Sequence, residues 1–183
     1  RVVVPGKIEH LEINLKTIER SGASAVIMED KKGLKKNSLF GNKVKQEQEN
    51  VKEFSKKINL GKKATRGKLM IIARIESLIL GKSVNDAIMR AEKYVDAGTD
   101  GIMIHSKDKD PKEIFKFAEK FKKVFEDIPL VAVPSSYNSV KEKQLEEAGF
   151  NIVIYANQML RASYPAMRQV ALEILKNGRA YES

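Results

Sequence analysis

Polar side chains capable of acid–base chemistry or anion binding follow five short apolar runs along this chain. The most specific cluster is Glu29-Asp30-Lys31, and a loop containing Lys35-Lys36-Asn37-Ser38 comes after it. The other runs end on Arg74-Ile75-Glu76, His105-Ser106, Ser135-Ser136 and Asn157. Carboxylates can hold a cation or carry a proton, and guanidinium, ammonium, imidazole and amide groups can surround an anion. These residue types together favour an enzyme site over a solvated sheet edge.

The apolar runs predict β-strands, and the regions between them predict helices. The runs span residues 25–28, 69–73, 101–104, 130–133 and 152–155. Continuous apolar runs of this length suit strands buried on both faces, as in a parallel sheet covered by helices. Parallel strands place their carboxyl ends at one rim, where the active sites of parallel barrels lie. We therefore expect the polar clusters to converge on one rim.

Apolar residues at helical spacing predict six helices. The first ends near Ser21-Gly22, the second ends before Gly61 and the third ends at Gly98. The fourth begins at Asp110-Pro111, where an acceptor precedes a first-turn proline. The fifth is a short helix that opens with a capping box running from Ser139 to Glu142.

The last predicted helix begins at Ser163-Tyr164-Pro165, and four of its apolar residues are expected to face inward: Met167, Val170, Ala171 and Ile174. Three helix ends carry a glycine a few residues before the next strand, at Gly22, Gly98 and Gly149. Glycine tolerates the left-handed conformation that closes a helix, so this weak repeat supports the alternation. Strands alternating with helices predict parallel strands joined by right-handed crossovers.

The length of 183 residues predicts one α/β domain over residues 1–183. The predicted fold is a (β/α)8 TIM-type barrel that is incomplete at the N-terminus, because a complete barrel usually needs about 250 residues. The first residue is Arg, and residues 2–4 are a candidate sixth strand in addition to the five apolar runs. Residues 31–68 break the alternation and form a candidate lid at the rim.

The composition excludes several classes of protein. The net charge of +10 comes from lysines spread over several segments, mostly in loops and on the polar faces of predicted helices, so we expect a solvated basic surface and no nucleic-acid partner. No apolar run approaches the roughly 20 residues that span a bilayer, so no membrane association is expected. The chain has no cysteine, which excludes disulfides and thiol catalysis and fits a cytoplasmic enzyme. Its two histidines argue against a multi-histidine zinc site.

The order and spacing of the polar clusters resemble the phosphoenolpyruvate mutase and phosphonopyruvate hydrolase branch of the isocitrate lyase superfamily. The marker of this family is an E-D-K triplet at a strand end followed by a loop ending K-x-N-S. It stands here as Glu29-Asp30-Lys31 and Lys35-Lys36-Asn37-Ser38. Further matches follow in the same order at residues 73–76, 103–107, 133–136, 155–157 and 160–162.

This resemblance implies rearrangement of phosphoenolpyruvate to phosphonopyruvate, in which a phosphoryl group moves between an enol oxygen and a carbon. A loosely bonded phosphoryl group needs cationic and amide donors around its oxygens. The implied catalytic residues are Lys35, Asn37, Arg74 and His105. The implied substrate contacts are Ser38, Ser135 and Asn157.

The resemblance also implies a magnesium ion that stabilises the enolate, oriented by Glu29 through water. The first-shell metal carboxylates of the family lie in a D-x-D-x-G segment, whereas residues 2–7 of this chain contain no acidic residue. The earlier phosphoryl-binding loop of the family and its aspartate are also absent. We therefore expect the full-length protein to contain segments that precede this chain.

Other activities compete with the mutase interpretation. The same fold and metal could hydrolyse phosphonopyruvate at its P–C bond, but Asn37 favours the mutase, since the hydrolase branch tends towards threonine at that position. Carbon–carbon lyases of the superfamily generally carry a cysteine in this loop. A Schiff-base aldolase is disfavoured because the lysines lie in polar loops, and a basic nucleic-acid-binding module is a remote alternative. The resemblance implies a homo-oligomer, either a dimer or a tetramer.

Overall fold

The structure, a computed structural model, describes residues 8–32, 47–65 and 68–181. Strands form at all five apolar runs, and six helices alternate with them, as predicted. The elements in chain order are α1 (Ile8–Arg20), β1 (Ala25–Glu29), α2 (Val51–Ala64), β2 (Met70–Ile75), α3 (Val84–Asp96), β3 (Gly101–Ile104), α4 (Lys112–Lys122), β4 (Leu130–Ala132), α5 (Glu142–Glu147), β5 (Ile152–Val153) and α6 (Gln158–Asn177). The predicted strand at residues 2–4 lies outside the described residues, as do residues 33–46, 66 and 67 of the candidate lid, whereas the rest of that stretch is described and contains α2.

The strands form one parallel sheet in the order β1-β2-β3-β4-β5. The register pairs Glu29 with Arg74 and Ile75 with Ile104. The carboxyl ends of β1, β2 and β3 therefore lie side by side. The predicted parallel sheet with crossover helices is confirmed.

Alternate residues of the strands pack into two separate apolar clusters. One cluster lies between the sheet and the helices and includes Met28, Ala73 and Ile104. The other contains no helix residue and consists of the intervening strand residues Ile72, Met103, Val131 and Val133, with Ile27 and Ile154 packed against it. Successive side chains of a strand point to opposite faces, so continuous apolar runs were needed to make both faces apolar. We call these the helix face and the inner face of the sheet.

Helix α2 ends later than predicted, because it continues through Gly61 to Ala64. Gly61 is buried, and a Cβ atom there would lie 2.7 Å from Ile71 Cδ1 and 2.8 Å from Leu15 Cδ1. The helix ends instead at Thr65, whose N–H and hydroxyl both donate to the Gly61 carbonyl at 3.1 and 3.0 Å. Gly61 therefore allows α2 to approach α1 and the sheet closely, and the prediction that it terminates the helix was wrong.

The helix starts also differ in part from prediction. Helix α4 begins at Lys112, slightly later than predicted, with Pro111 as its capping residue instead of a first-turn residue, and the expected acceptor Asp110 accepts a hydrogen bond from Lys112 N at 3.0 Å. At α5 the predicted capping box was wrong: the helix begins at Glu142, and the Gln144 side chain accepts from Lys141 N at 2.9 Å. Ser139 lies instead in the turn that follows the buried Tyr137.

Helix α6 begins at Gln158 instead of Ser163, and Pro165 lies within it. Its predicted inward residues are exposed, with relative exposures of 58% for Met167, 41% for Val170 and 40% for Ile174, and Ala171 is exposed as well. An apolar pattern buries a helix face only where a second surface covers it. Within the described part of the chain α6 has no buried residue, so the predicted packing was wrong.

The three glycines predicted to close helices have positive φ angles, namely 86° at Gly22, 92° at Gly98 and 91° at Gly149. This conformation is costly for residues with a Cβ atom, so the weak repeat has the predicted cause. Among the described residues, no helix combines the length and apolar character that crossing a membrane requires.

Candidate active site

Four buried charged side chains form a closed ring at the carboxyl ends of β1 and β2, and we call Glu29, Lys31, Arg74 and Glu76 the charge ring. Arg74 Nη1 lies 3.2 Å from Glu29 Oε1, and Arg74 Nε contacts Glu76 Oε1. Lys31 Nζ lies 2.9 Å from Glu76 Oε2 and 4.0 Å from Glu29 Oε2. None of the four side chains is more than 5% exposed. Positive and negative charges therefore alternate around the ring, and its formal charges cancel.

The period of the strands explains why these side chains meet. Glu29 lies two residues after Ile27, and Arg74 and Glu76 lie two and four residues after Ile72. Since every second side chain of a strand points to the same face, all three belong to the inner face. Glu29 and Arg74 are direct register partners. Lys31 follows the strand, where an isolated antiparallel bridge to Gln48 holds its backbone. The sheet thus brings together side chains that are separated by more than forty positions in the sequence.

His105 occupies the corresponding position on the next strand. It follows Ile104, the register partner of Ile75, as Glu76 follows Ile75. It lies two residues after Met103, which belongs to the inner face, and it is only 5% exposed. His105 and Arg74 therefore lie at the same end of the sheet and on the same face.

The remaining predicted site residues are not part of the charge ring. Ser135 follows β4 and is partly buried, and Asn157 follows β5, is exposed and immediately precedes α6. Lys35, Asn37 and Ser38 lie outside the described residues. The described chain ends at Lys32 before this segment and resumes at Glu47, and Lys32 N donates to Glu47 O at 2.8 Å. Both ends of the segment that carries Lys35, Asn37 and Ser38 therefore adjoin the charge ring.

A second closed ring of hydrogen bonds lies on the helix face directly behind the first, and we call Asp30, Gln48, Ser77, Asp86 and Arg90 the polar ring. Gln48 Nε2 donates to Asp30 Oδ2 at 2.8 Å and to Ser77 Oγ at 3.0 Å. Ser77 Oγ donates to Asp86 Oδ2 at 2.6 Å. Arg90 donates from Nε to Asp86 at 3.1 Å and from Nη1 to Asp30 at 3.2 Å, which closes the ring.

Asp30 is fully buried and accepts hydrogen bonds from four groups. Besides Gln48 and Arg90, the Tyr94 hydroxyl donates to Oδ2 at 2.8 Å and the Glu76 N–H donates to Oδ1 at 2.9 Å. Burial raises the pKa of the Asp30 carboxyl from its ordinary 3.8 to about 7, although these four donors act in the opposite direction. Burial and the nearby Asp30 carboxylate also raise the pKa of the Tyr94 hydroxyl, which therefore remains a donor.

The described residues do not by themselves form a magnesium site. Magnesium prefers several oxygen ligands, often carboxylates and water. Glu29 is the one predicted ligand within residues 8–32, 47–65 and 68–181, and these ranges contain no group of three His, Cys, Asp or Glu residues that could hold a metal ion. Glu29 and Glu76 are both neutralised by Arg74 and Lys31.

Sequence reasoning did not identify the whole arrangement. It assigned Glu29 and Arg74 to the site, but it gave no site role to Glu76, Lys31, Asp30 or Gln48. One signal was available for Glu76 and Lys31: each lies two residues beyond an assigned residue, and this spacing returns a strand side chain to the same face. No local pattern indicates that Asp30 meets Arg90 and Tyr94, which are 60 and 64 positions away.

A model of the phosphoenolpyruvate phosphomutase family matches residues 5–175 of the chain. A phosphonopyruvate hydrolase of Variovorax sp. (strain Pal2) is 37% identical over 162 residues, which are 87% of this chain and 54% of that protein. This chain spans about half the length of the curated relatives that it matches.

Solved structures lead to the same group of proteins. The phosphoenolpyruvate phosphomutase from Streptomyces platensis subsp. rosaceus superposes with a TM-score of 0.89 at 35% identity, covering 97% of this chain and 61% of that one. A phosphonopyruvate hydrolase in complex with oxalate and Mg²⁺ superposes with a TM-score of 0.83 at 32% identity, covering 99% of this chain and 61% of that one. The fold is that of the TIM-type barrel enzymes of the isocitrate lyase superfamily, so the predicted fold class is confirmed.

Proposed function

Because this chain belongs to the phosphoenolpyruvate phosphomutase family, we propose that the protein interconverts phosphoenolpyruvate and phosphonopyruvate. In this reaction the bond between phosphorus and the enol oxygen breaks and a bond between phosphorus and C3 of pyruvate forms, so no proton is gained or lost. The observation that carries the proposal is the buried Arg74 between Glu29 and Glu76 at the strand ends, next to the segment that carries Lys35 and the mutase-type residue Asn37.

The Arg74 guanidinium is suited to stabilise a phosphoryl group during its transfer. Its guanidinium is planar, carries five N–H donors and keeps its charge at any working pH. The carboxylates of Glu29 and Glu76 fix its orientation through Nη1 and Nε. A loose phosphoryl transition state needs charge stabilisation and positioning more than covalent help. An oriented and buried cation supplies both.

The other predicted residues have supporting roles in this proposal. His105 donates a further hydrogen bond to the phosphoryl or carboxylate oxygens from the inner face, and Lys35 and Asn37 contact the phosphoryl group from the segment between Lys32 and Glu47. Ser38, Ser135 and Asn157 complete the substrate contacts. We also propose one catalytic domain within residues 1–183, a cytoplasmic location, and a requirement for magnesium. The magnesium requirement rests on the related hydrolase that was solved with oxalate and Mg²⁺.

Hydrolysis of phosphonopyruvate is the alternative, and it is favoured by the hydrolase relative at 37% identity. There a water molecule attacks phosphorus, the P–C bond breaks, and the pyruvate enolate takes up a proton. The two activities differ in whether water reaches the phosphoryl group. Asn37 supports the mutase assignment, because the resemblance to the family associates asparagine at this position with the mutase branch.

Phosphorus NMR of the purified protein with phosphonopyruvate and magnesium distinguishes the two reactions, because the substrate and both candidate products have separate resonances. We expect phosphoenolpyruvate to accumulate, and adding EDTA should stop the reaction. Inorganic phosphate as the first product would establish the hydrolase instead. Unchanged phosphonopyruvate at high protein concentration would contradict both assignments.

We further propose that the protein forms a homo-oligomer, a dimer or a tetramer. Helix α6 supports this, because it carries several exposed large apolar residues. Leu160 is 62% exposed and Leu175 is 81% exposed. Large exposed apolar patches on a folded protein commonly mark contact surfaces.

A further inference from the structure

Building on the proposed function, we propose that the polar ring on the helix face positions the charge ring on the inner face, with Asp30 as the positioning residue that connects them. The two rings share no side chain. They are joined through the backbone at two places, within Glu29-Asp30-Lys31 and at Glu76-Ser77. Successive side chains of a strand point to opposite faces, so neighbouring residues at both places belong to different rings.

Asp30 holds the backbone on both sides of β2's last residue. Its N–H donates to the Arg74 carbonyl at 3.0 Å, and its Oδ1 accepts from the Glu76 N–H at 2.9 Å. Arg74 and Glu76 are the two charge-ring residues that β2 contributes. A change in the position of Asp30 must therefore alter how the Arg74 guanidinium meets the Glu76 carboxylate.

The polar ring anchors Asp30 to helix α3. Arg90 and Tyr94 reach Asp30 from that helix, and Arg90 Nη1 also donates to the Tyr94 hydroxyl at 3.0 Å and to the Glu49 carbonyl at 3.0 Å. Glu49 N in turn donates to the Asp30 carbonyl at 2.9 Å. Arg90 and Tyr94 are buried, so these contacts lie in a region where hydrogen bonds are strong and solvent cannot replace them. The polar ring is thus a rigid connection between a helix and the strand ends.

The expected consequence is a loss of catalytic rate larger than the loss of binding. Substrate binding is shared among several proposed contacts, whereas transition-state stabilisation depends on the alignment of the Arg74 guanidinium. Misplacing a catalytic group by about 1 Å can cost about a hundredfold in rate. Asp30 does not touch the inner face, so it acts through Arg74 and Glu76.

The test compares Asp30→Asn with Asp100→Asn. Asparagine at position 30 has nearly the same shape, and its carbonyl oxygen can still accept a hydrogen bond from Glu76 N. Its NH₂ group, however, would face the N–H donors of Arg90 and Gln48 and cannot accept their hydrogen bonds. Asp100 is a matched control at the amino end of β2, because its carboxylate also accepts from a β2 backbone N–H, that of Ile71 at 2.7 Å, and pairs with Lys62 at 2.7 Å. Ser77→Ala removes one hydroxyl from the polar ring and serves as a milder second variant if Asp30→Asn does not fold.

We expect Asp30→Asn to lower kcat on phosphonopyruvate about tenfold or more with KM changed less than about threefold, and Ser77→Ala to act in the same direction less strongly. Asp100→Asn should lower the melting temperature while leaving kcat within about twofold of the wild type. A purely structural role for the polar ring would give the opposite pattern: reduced melting temperature with unchanged kcat in Asp30→Asn and Ser77→Ala.

A substrate-free measurement separates this proposal from the proposed function. The Nε–H resonance of Arg74, identified by its loss in Arg74→Lys, should move in Asp30→Asn and stay in place in Asp100→Asn. A shifted resonance in a protein that acts on neither phosphonopyruvate nor phosphoenolpyruvate would overturn the proposed function and retain the positioning role. An unmoved resonance together with normal kcat in Asp30→Asn would overturn the positioning role and leave the function intact.

Discussion

Adjacent residues of the Glu29-Asp30-Lys31 triplet lie in different environments, although they look like one polar cluster in the sequence. Glu29 and Lys31 belong to the charge ring, where a phosphoryl group is proposed to bind. Asp30 belongs to the polar ring and contacts α3. The triplet therefore combines a chemical role with an anchoring role. Substitutions at its three positions should have different effects on activity and stability.

Replacing Arg74 by Met should destabilise the fold as well as abolish activity. The substitution leaves the buried carboxylates of Glu29 and Glu76 with Lys31 as their nearby cation. Removing one partner from a buried ion pair typically costs about 3–5 kcal/mol. Urea denaturation should detect this loss, and Arg20→Met at the exposed end of α1 should change the free energy of unfolding by less than about 0.5 kcal/mol. Equal effects of the two substitutions would mean that Arg74 is not tied into a buried ring.

The pKa of Asp30 predicts how stability varies with pH. Burial raises this pKa to about 7 in the folded protein, from an ordinary value of 3.8. Between these values the folded state holds a proton that the unfolded state has released, so the free energy of unfolding should fall as pH rises from about 4 to about 7 and level off above it. Asp30→Asn should lack this component.

Subtracting the free energy of unfolding of Asp30→Asn from that of the wild type at each pH isolates the contribution of Asp30, because the contributions of the other titrating groups cancel. Denaturant unfolding measured between about pH 4 and pH 8 should show this difference falling as pH rises towards about 7, with the slope expected for the release of one proton. A flat difference, or one that rises with pH, would mean that the Asp30 carboxyl titrates near or below its ordinary value in the folded protein.

The helices and strands depend on glycine in two distinct ways. Gly61 lies inside α2, where its missing side chain lets the helix pack against Leu15 and Ile71. Gly98 closes α3 with a φ of 92°, and the nearest atom to an added Cβ would be Lys62 Cγ at 3.9 Å. The first glycine is required by packing and the second by backbone conformation. The two positions should respond differently to the same substitution.

Gly61→Ala should destabilise the protein despite the better helix propensity of alanine. Propensity favours alanine by about 1 kcal/mol, whereas overpacking a core typically costs about 1–3 kcal/mol. Because the added Cβ would meet Ile71 Cδ1 at 2.7 Å, the double variant with Ile71→Val should recover part of the loss. Thermal unfolding of the single and double variants tests this, and strictly additive effects would contradict the assigned contact.

Gly98→Ala should cost about 1–2 kcal/mol through the left-handed conformation alone, since the site has room for a methyl group. Asparagine tolerates this conformation better than alanine. Gly98→Asn should therefore be more stable than Gly98→Ala, although asparagine is the larger residue. Chemical denaturation of both variants measures the difference, and the reverse order would indicate a steric cause.

The described part of the molecule contains one well-packed region and one helix without buried residues. Helices α1 to α5 pack on the helix face of the sheet, whereas α6 contributes no buried residue. The chain also spans about half the length of its curated relatives. A helix with this many exposed apolar residues requires a covering surface in the assembled protein.

Sedimentation velocity of the purified protein at micromolar concentration should therefore give the mass of a dimer or a tetramer. Leu160→Glu and Leu175→Glu should each shift the protein towards monomer, because a buried apolar contact would then have to accept a charge. Lys176→Glu, at a neighbouring polar position of α6, serves as the control and should leave the mass unchanged. A monomeric wild type, or equal dissociation in all three variants, would contradict an interface on this helix.

Much of the fold and part of the site were predictable because they depend on local patterns. The five strands follow from apolar runs, and helix closure at Gly22, Gly98 and Gly149 follows from a property of glycine. The positions of Glu29, Arg74 and His105 at one rim follow from parallel strands, whose carboxyl ends coincide. These features need only the neighbouring residues and the rule that parallel strands align.

Only the tertiary structure decided which side chains meet and which surfaces are covered. The hydrogen bonds that Asp30 accepts from Arg90 and Tyr94 bridge 60 and 64 positions, so no local pattern could indicate them. The packing role of Gly61 depends on Leu15 and Ile71, which come from two other elements. The apolar stripe of α6 looks like a core stripe in the sequence, but burial depends on a second surface that no single segment encodes.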